Sequence, residues 1–163
     1  WQAISTALET IAELEIPTIA MVNGPCLGGG CLLANACDLR FAALEAASFA
    51  IPVARLGIIL DDSNVQRLVN LIGQAKAKEL LFSAATIGST RAATIGLINQ
   101  AVEDDKLEAH TLEFAKTILA NSSLTVAATK ASIARLNHHV REQERAIVGY
   151  LSSDFRNRMA LEP

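Results

Sequence analysis

Aromatic residues are scarce in this chain: one tryptophan, one tyrosine and five phenylalanines among 163 residues. Against abundant alanine, that scarcity suits closely packed helices rather than a core built on rings. Charge is sparse as well. Charged residues make up 19% of the chain, the net charge is −3, and no run of Lys or Arg occurs. Nothing there supports nucleic-acid binding. No window reaches the ~18 apolar residues of a membrane span, so no membrane partner is expected. The three cysteines, Cys26, Cys31 and Cys37, share one apolar region and have no histidine at metal-ligand spacing. That argues against zinc and against disulfides, and leaves buried reduced thiols of a cytoplasmic protein with no bound metal. An initiating methionine is also missing. The chain starts at Trp1, inside a predicted helix, so a fragment or a partly ordered chain is expected.

With 51% hydrophobic residues, the length fits one ordinary domain, or a domain with a helical appendage. Apolar spacing predicts a helix over residues 1–14, ended by Ile16-Pro17. Thr18–Val22 reads as a buried strand, residues 29–36 as a helix, Asp38–Ala43 as a strand, and Ser48–Ala50 as a third. Residues 51–64 read as a loop ending in polar residues suited to cap a helix over Val65–Leu71. Gly73 closes that helix, Ala75–Phe82 forms another, residues 89–96 a short one, and Leu97–Val102 a last strand. Alternating strands and helices predict an α/β, parallel arrangement. After residue 105 the pattern is helical only, over Leu107–Leu119, Thr125–Leu136 and Arg141–Tyr150. The expected division is therefore residues 1–104 and a helical region 105–163.

The richest stretch runs from Ile19 to Ala34. An apolar strand stops at Asn23-Gly24-Pro25, and Gly28-Gly29-Gly30 then open a helix. A helix start carries unpaired N–H groups and a partial positive charge. Glycine there removes the Cβ that would keep a ligand from the backbone. The result is a site for an anion or a developing oxyanion. The plainer reading is a flexible loop or close helix–strand packing. A P-loop is excluded because no Gly-Lys-Ser/Thr follows, and a dinucleotide fingerprint because the G-x-G-x-x-G spacing is absent.

Ile16-Pro17-Thr18-Ile19-Ala20-Met21-Val22-Asn23-Gly24, Leu27-Gly28-Gly29-Gly30 and Cys37-Asp38-Leu39-Arg40 together resemble the central signature of the crotonase (enoyl-CoA hydratase/isomerase) superfamily. Phe49-Ala50-Ile51-Pro52, Arg55-Leu56-Gly57, Gln66-Arg67-Leu68, Ala77-Lys78-Glu79-Leu80-Leu81 and Ala128-Thr129-Lys130 continue the likeness in order, as does the tail Ser152–Arg156. The resemblance implies a ββα spiral core with a C-terminal helical trimerisation region, hence a homotrimer or a dimer of trimers. It also implies an acyl-CoA thioester as substrate, with no other cofactor. In the family two backbone N–H groups hold the thioester oxygen. Gly29, beside Gly28, matches one of them, and the other belongs to a segment upstream of Trp1.

The resemblance also exposes a departure. The two glutamates of a family hydratase match Leu32 and Val53 here, and neither can move a proton. A two-glutamate hydration is therefore not expected, and both residues are expected to line an apolar acyl site. Asp61, counted back from Gln66-Arg67-Leu68, falls where dienoyl-CoA isomerases and a dehalogenase of the family carry an aspartate. Beside Asp62 in an apolar pocket its pKa would be raised, which suits a general base. The competing reading is an N-cap, since Asp61-Asp62-Ser63-Asn64 precedes a helix. Arg55 is read as lining the acyl pocket or pairing with Asp61, Asp38 as anchoring a strand–turn junction, and His110, His138 and His139 as surface residues. Two functions remain in view. One is an enolate-stabilising enzyme with Gly29 as oxyanion donor and Asp61 as base. The other is an acyl-CoA binder or oligomeric scaffold without chemistry.

Overall fold

The computed structural model describes residues 2–136. The helix expected over Arg141–Tyr150, His138, His139 and the tail Ser152–Arg156 lie outside the described residues. The chain divides into two compact units, residues 1–121 and 122–163. The composition change near residue 105 does not coincide with that division, because the helix that follows it packs onto a sheet of the first unit. In the second unit, residues 123–136 are helical.

The first unit opens with α1 (Gln2–Glu13), β1 (Ile19–Val22), β2 (Pro25–Leu27), α2 (Gly29–Ala36), β3 (Leu39–Ala43) and β4 (Ser48–Ala50). There follow α3 (Val53–Leu56), α4 (Asp62–Ser83), β5 (Ile87–Gly88), α5 (Ser89–Thr94), β6 (Gln100–Val102) and, after a 3₁₀ turn, α6 (Leu107–Leu119). Strands β1, β3 and β6 form one sheet in that order, all parallel. Strands β2, β4 and β5 form a second, in which β4 pairs parallel with β2 and antiparallel with β5. The first four strands alternate between the sheets, so the chain winds as a ββα spiral.

Register is pinned by polar contacts at strand ends. Asp38 Oδ2 accepts from the backbone N–H and the hydroxyl of Thr18 at 2.7 and 2.9 Å, which sets the start of β3 beside the start of β1. Asp38 thus anchors the strand–turn junction expected of it. Asp104 clamps the β3–β4 turn by accepting from the backbone N–H groups of Glu45 and Ala46.

Between the sheets and helices lies one apolar core, including Leu8, Cys31, Leu32, Phe41, Phe49, Leu68 and Leu97. Inside it sits Arg40, 4% exposed, its guanidinium met by main-chain carbonyls. Its guanidinium donates to the carbonyls of Leu97 at 2.8 Å, Cys37 at 2.6 Å and Ala34 at 3.3 Å. Two of these carbonyls belong to the C-terminal end of α2, where a cation is favoured. A buried charge must be paired or fully hydrogen-bonded, and here main-chain oxygens do that work.

Several expected elements differ in detail. β2 was expected as part of a turn, and it forms because Pro25, as the first residue of a strand, gives up no essential donor. α3 was expected as loop, and it is a single turn ended by Gly57 at φ +64. Gly73 breaks the helix as expected, with φ +73 and ψ +163, but helix resumes directly on its far side. His110 is not a surface residue. Its ring meets Phe41 edge-on at 5.0 Å, and its Nε2 is buried without a hydrogen-bond partner.

Candidate active site

The turn between β2 and α2 has one residue of unusual conformation. Gly28 is the N-cap of α2 at φ +52 and ψ −117, a region closed to residues with a Cβ. Its N–H donates to the carbonyl of Ala50 at 2.8 Å, which ties the turn to the end of β4. Its own carbonyl receives Leu32 N–H at 3.0 Å, the first helical bond. Ahead of that bond, the N–H groups of Gly29, Gly30 and Cys31 have no acceptor within the helix, and no side chain caps this end.

Gly29 and Gly30 are exposed, and a Cβ on either would meet nothing within 4 Å. The same holds at Gly28, where the dihedral rather than space demands glycine. Close helix–strand packing therefore does not explain the three glycines. What remains is an open approach to free backbone donors at the positive end of a helix, suited to an anion or a carbonyl oxygen gaining charge.

The positions matching the hydratase glutamates flank this turn. Leu32, one helical turn into α2, is 2% exposed and belongs to the core. Val53 is half-buried against that core and opens α3, three residues beyond the Ala50 carbonyl that holds Gly28. The Gly28–Ala50 hydrogen bond ties the turn to β4, and the side chains at Leu32 and Val53 are apolar.

Asp61 is the N-cap of α4. Its Oδ1 accepts from Asn64 N–H at 2.9 Å and its Oδ2 from the Asn64 side-chain amide at 2.8 Å. Asn64 is itself buried, and its side-chain oxygen accepts from Arg67 at 3.2 Å. Partial burial pushes the Asp61 carboxyl up, but the hydrogen bonds from Asn64 and the charge of Arg67 outweigh it, and the net shift is downward. The expectation of a raised pKa is therefore corrected: Asp61 is exposed, and its hydrogen bonds favour the ionised form. Asn64 belongs to the capping cluster read from sequence, but its hold on both Asp61 oxygens was not foreseen. The signal for it was the Asp-x-x-Asn spacing of a cap.

Of the two expectations for Arg55, the pairing with Asp61 is corrected. Arg55 neither pairs with Asp61 nor carries its charge to an acid, but donates to the carbonyl of Ala84 at 2.7 Å, at the end of α4. No disulfide joins the three cysteines; Cys26 and Cys31 are buried and Cys37 is half-buried. Among the described residues no cluster of His, Cys, Asp and Glu is arranged to hold a metal. Among the same residues no helix is long and apolar enough to cross a membrane.

A two-sheet ββα spiral with a glycine turn at a helix start is the arrangement implied by resemblance to the crotonase superfamily. A family model described as enoyl-CoA hydratase/isomerase matches residues 1–159, and the chain belongs to that family. It is 42% identical over 122 residues to a short-chain-enoyl-CoA hydratase of Clostridium acetobutylicum, covering 75% of this chain and 46% of that protein. It is 33% identical over 144 residues to a mitochondrial Delta(3,5)-Delta(2,4)-dienoyl-CoA isomerase of Dictyostelium discoideum, covering 88% of this chain and 48% of that one. The chain thus spans about half the length of the curated relatives it matches. Among solved structures, an enoyl-CoA hydratase/isomerase family protein from Hyphomonas neptunium superposes with a TM-score of 0.81 at 32% identity, over 95% of this chain and 61% of the other. A monofunctional enoyl-CoA isomerase from M. smegmatis gives 0.76 at 29% identity, over 83% and 63%.

Proposed function

We propose that this chain binds an acyl-CoA thioester and stabilises its enolate, with enoyl-CoA isomerase or hydratase-like activity. The observation that carries this reading is the open N–H of Gly29 at the start of α2, held in place by the Gly28 turn. Removing a proton next to a thioester carbonyl drives negative charge onto the carbonyl oxygen. A preorganised backbone donor facing that oxygen gains strength as the charge grows. Gly28, Leu32 and Val53 would then border the substrate, CoA being part of the substrate rather than a separate cofactor. Isomerisation fits better than hydration. Leu32 and Val53 cannot position and activate a water, whereas one carboxylate can carry a proton between two carbons of an acyl chain. Asp61 is the candidate for that carboxylate, ionised near neutral pH because Asn64 supports its charge.

Turnover of 2-enoyl-, 3-enoyl- and dienoyl-CoA esters by the wild type and by Asp61→Asn is the test. Isomerisation by the wild type and its loss in the variant is the expected result, and equal turnover by both removes Asp61 from the chemistry. A second reading rests on Leu32, whose burial fills an acid position with core. On it the chain binds acyl-CoA without turning it over, as a binder or oligomeric scaffold. Calorimetric binding of CoA esters with no product would favour that reading. We further propose cytoplasmic residence, and self-association as a homotrimer or dimer of trimers through residues 105–163. A monomer in sedimentation at micromolar concentration would refute that assembly.

A further inference from the structure

The Asp61 carboxylate is held more firmly than a helix cap requires. A cap needs one bond, and Asn64 N–H supplies it to Oδ1 at 2.9 Å. The Asn64 side-chain amide adds a second, to Oδ2 at 2.8 Å, so one residue grips both oxygens. That amide is itself fixed. Asn64 is 2% exposed, and its own Oδ1 accepts from Arg67 Nη1 at 3.2 Å. Because an amide is planar, holding its oxygen also aims its N–H groups. An ionised carboxylate offers about four acceptor positions, and Asn64 takes one on each oxygen. Each oxygen therefore keeps a position where a proton can arrive, and Asp61 is exposed. Arg67 is the cation that acts on this carboxylate, whereas Arg55 of α3 is engaged by the Ala84 carbonyl. Asp62 adjoins it in sequence and is exposed, and α2, which also packs on α4, carries no charged residue.

We propose that Asn64, seated by Arg67, is the positioning residue of the proton shuttle: it fixes the orientation of the Asp61 carboxylate and favours return of the proton that Asp61 has taken. The proposal rests on the function given above, in which Asp61 carries a proton between two carbons of an acyl-CoA. In the first transfer a C–H bond breaks and an O–H bond forms on Asp61, while the C–H electron pair passes into the enolate. In the second the O–H bond breaks and a C–H bond forms at another carbon, with the electron pair returning from the enolate. Nothing is oxidised or reduced. A carboxylate free to rotate would have to find its orientation again for the second transfer, and the two Asn64 bonds remove that freedom. The same bonds favour the ionised form, so protonated Asp61 is a ready donor.

The test compares the full chain with Asn64→Ala and Arg67→Met across pH. Values of kcat and KM are measured with 3-enoyl- and dienoyl-CoA esters, and the Asp61 carboxyl is titrated by NMR in the same proteins. In Asn64→Ala the backbone N–H still caps Asp61, but the side-chain bond is gone. The expected result is a fall in kcat of about tenfold, the weight of one hydrogen bond to a charged group, with KM unchanged. The acid limb of kcat and the Asp61 titration both move to higher pH. Arg67→Met moves them the same way by less, whereas Gln66→Ala, whose amide serves Asn70, moves neither. A lowered kcat with the acid limb in place makes Asn64 merely structural and overturns the proposal. If Asn64→Ala does not fold, Arg67→Met decides by the same criterion. A wild type that isomerises no ester, or an Asp61→Asn variant that matches it, overturns the function proposed above and the positioning role together. Loss of turnover in Asp61→Asn beside an unaltered profile in Asn64→Ala overturns the positioning role alone.

Discussion

The starts of α2 and α4 solve the same problem in opposite ways. Each helix opens with N–H groups that have no helical acceptor. At α4 the Asp61 carboxylate covers the Asn64 N–H and takes the Asn64 side-chain amide as well. At α2 the capping residue is glycine, no side chain reaches back, and the space over Gly29 and Gly30 is empty. One helix start is completed by its own sequence, and the other keeps its first N–H groups open. Stability explains the first arrangement. It does not explain the second, where the φ +52, ψ −117 of Gly28 bars any capping side chain.

This contrast can be broken most sharply at Gly29. Proline is tolerated at the first position of a helix, so Gly29→Pro removes the donor and leaves α2 formed. The expected outcome is a loss of about 10²–10³ in kcat, with a melting temperature near that of the wild type. A variant that turns over substrate as the wild type does would show that this N–H holds nothing. Gly28→Ala comes next. It forces a Cβ into the φ +52, ψ −117 conformation and should cost about 1–3 kcal/mol in urea unfolding. Gly29→Ala, by contrast, meets open space and should leave unfolding nearly unchanged while hindering ligand approach.

At α4 the effects are smaller and concern stability. Asp61→Ala should cost about 1 kcal/mol, the usual weight of an N-cap. Because the folded Asp61 carboxyl sits below its unfolded value, its contribution is present above the unfolded pKa and fades as pH falls through the folded one. The deficit of Asp61→Ala should therefore shrink in acid, below the ordinary carboxylate range. Asp61→Asn keeps the cap and should cost no more than about 0.5–1 kcal/mol, the charge–dipole part. Turnover lost in that variant with stability kept would separate a chemical role from capping.

Much of this was legible in sequence where signals are local. The bounds of α2 and α6 follow from Gly29, from periodic apolar residues and from the polar Glu103-Asp104-Asp105 stretch, and β4 follows from Ser48-Phe49-Ala50. β2 was not legible, since three residues opening with proline read as a turn and only pairing with β4, more than twenty residues on, makes them a strand. α3 is a single turn whose Arg55 reaches the distant Ala84 carbonyl. The pKa of Asp61 was misread because its sign depends on where the Asn64 amide points, which spacing alone does not give. Arg40 lies in an apolar strand, Leu39-Arg40-Phe41-Ala42-Ala43, and only the meeting of α2 with Leu97 shows why a cation is tolerated there.

That arginine has a consequence for how the molecule can vary. The partners of its guanidinium are peptide oxygens, which no substitution deletes and which do not titrate over any pH at which the protein is folded. The hydrogen bonds that seat it therefore survive exchange of the side chains around it. The junction of α2, β3 and the Leu97 segment has a single point of failure, the arginine itself, and lysine is a poor substitute because a point-like ammonium cannot span four separated carbonyls.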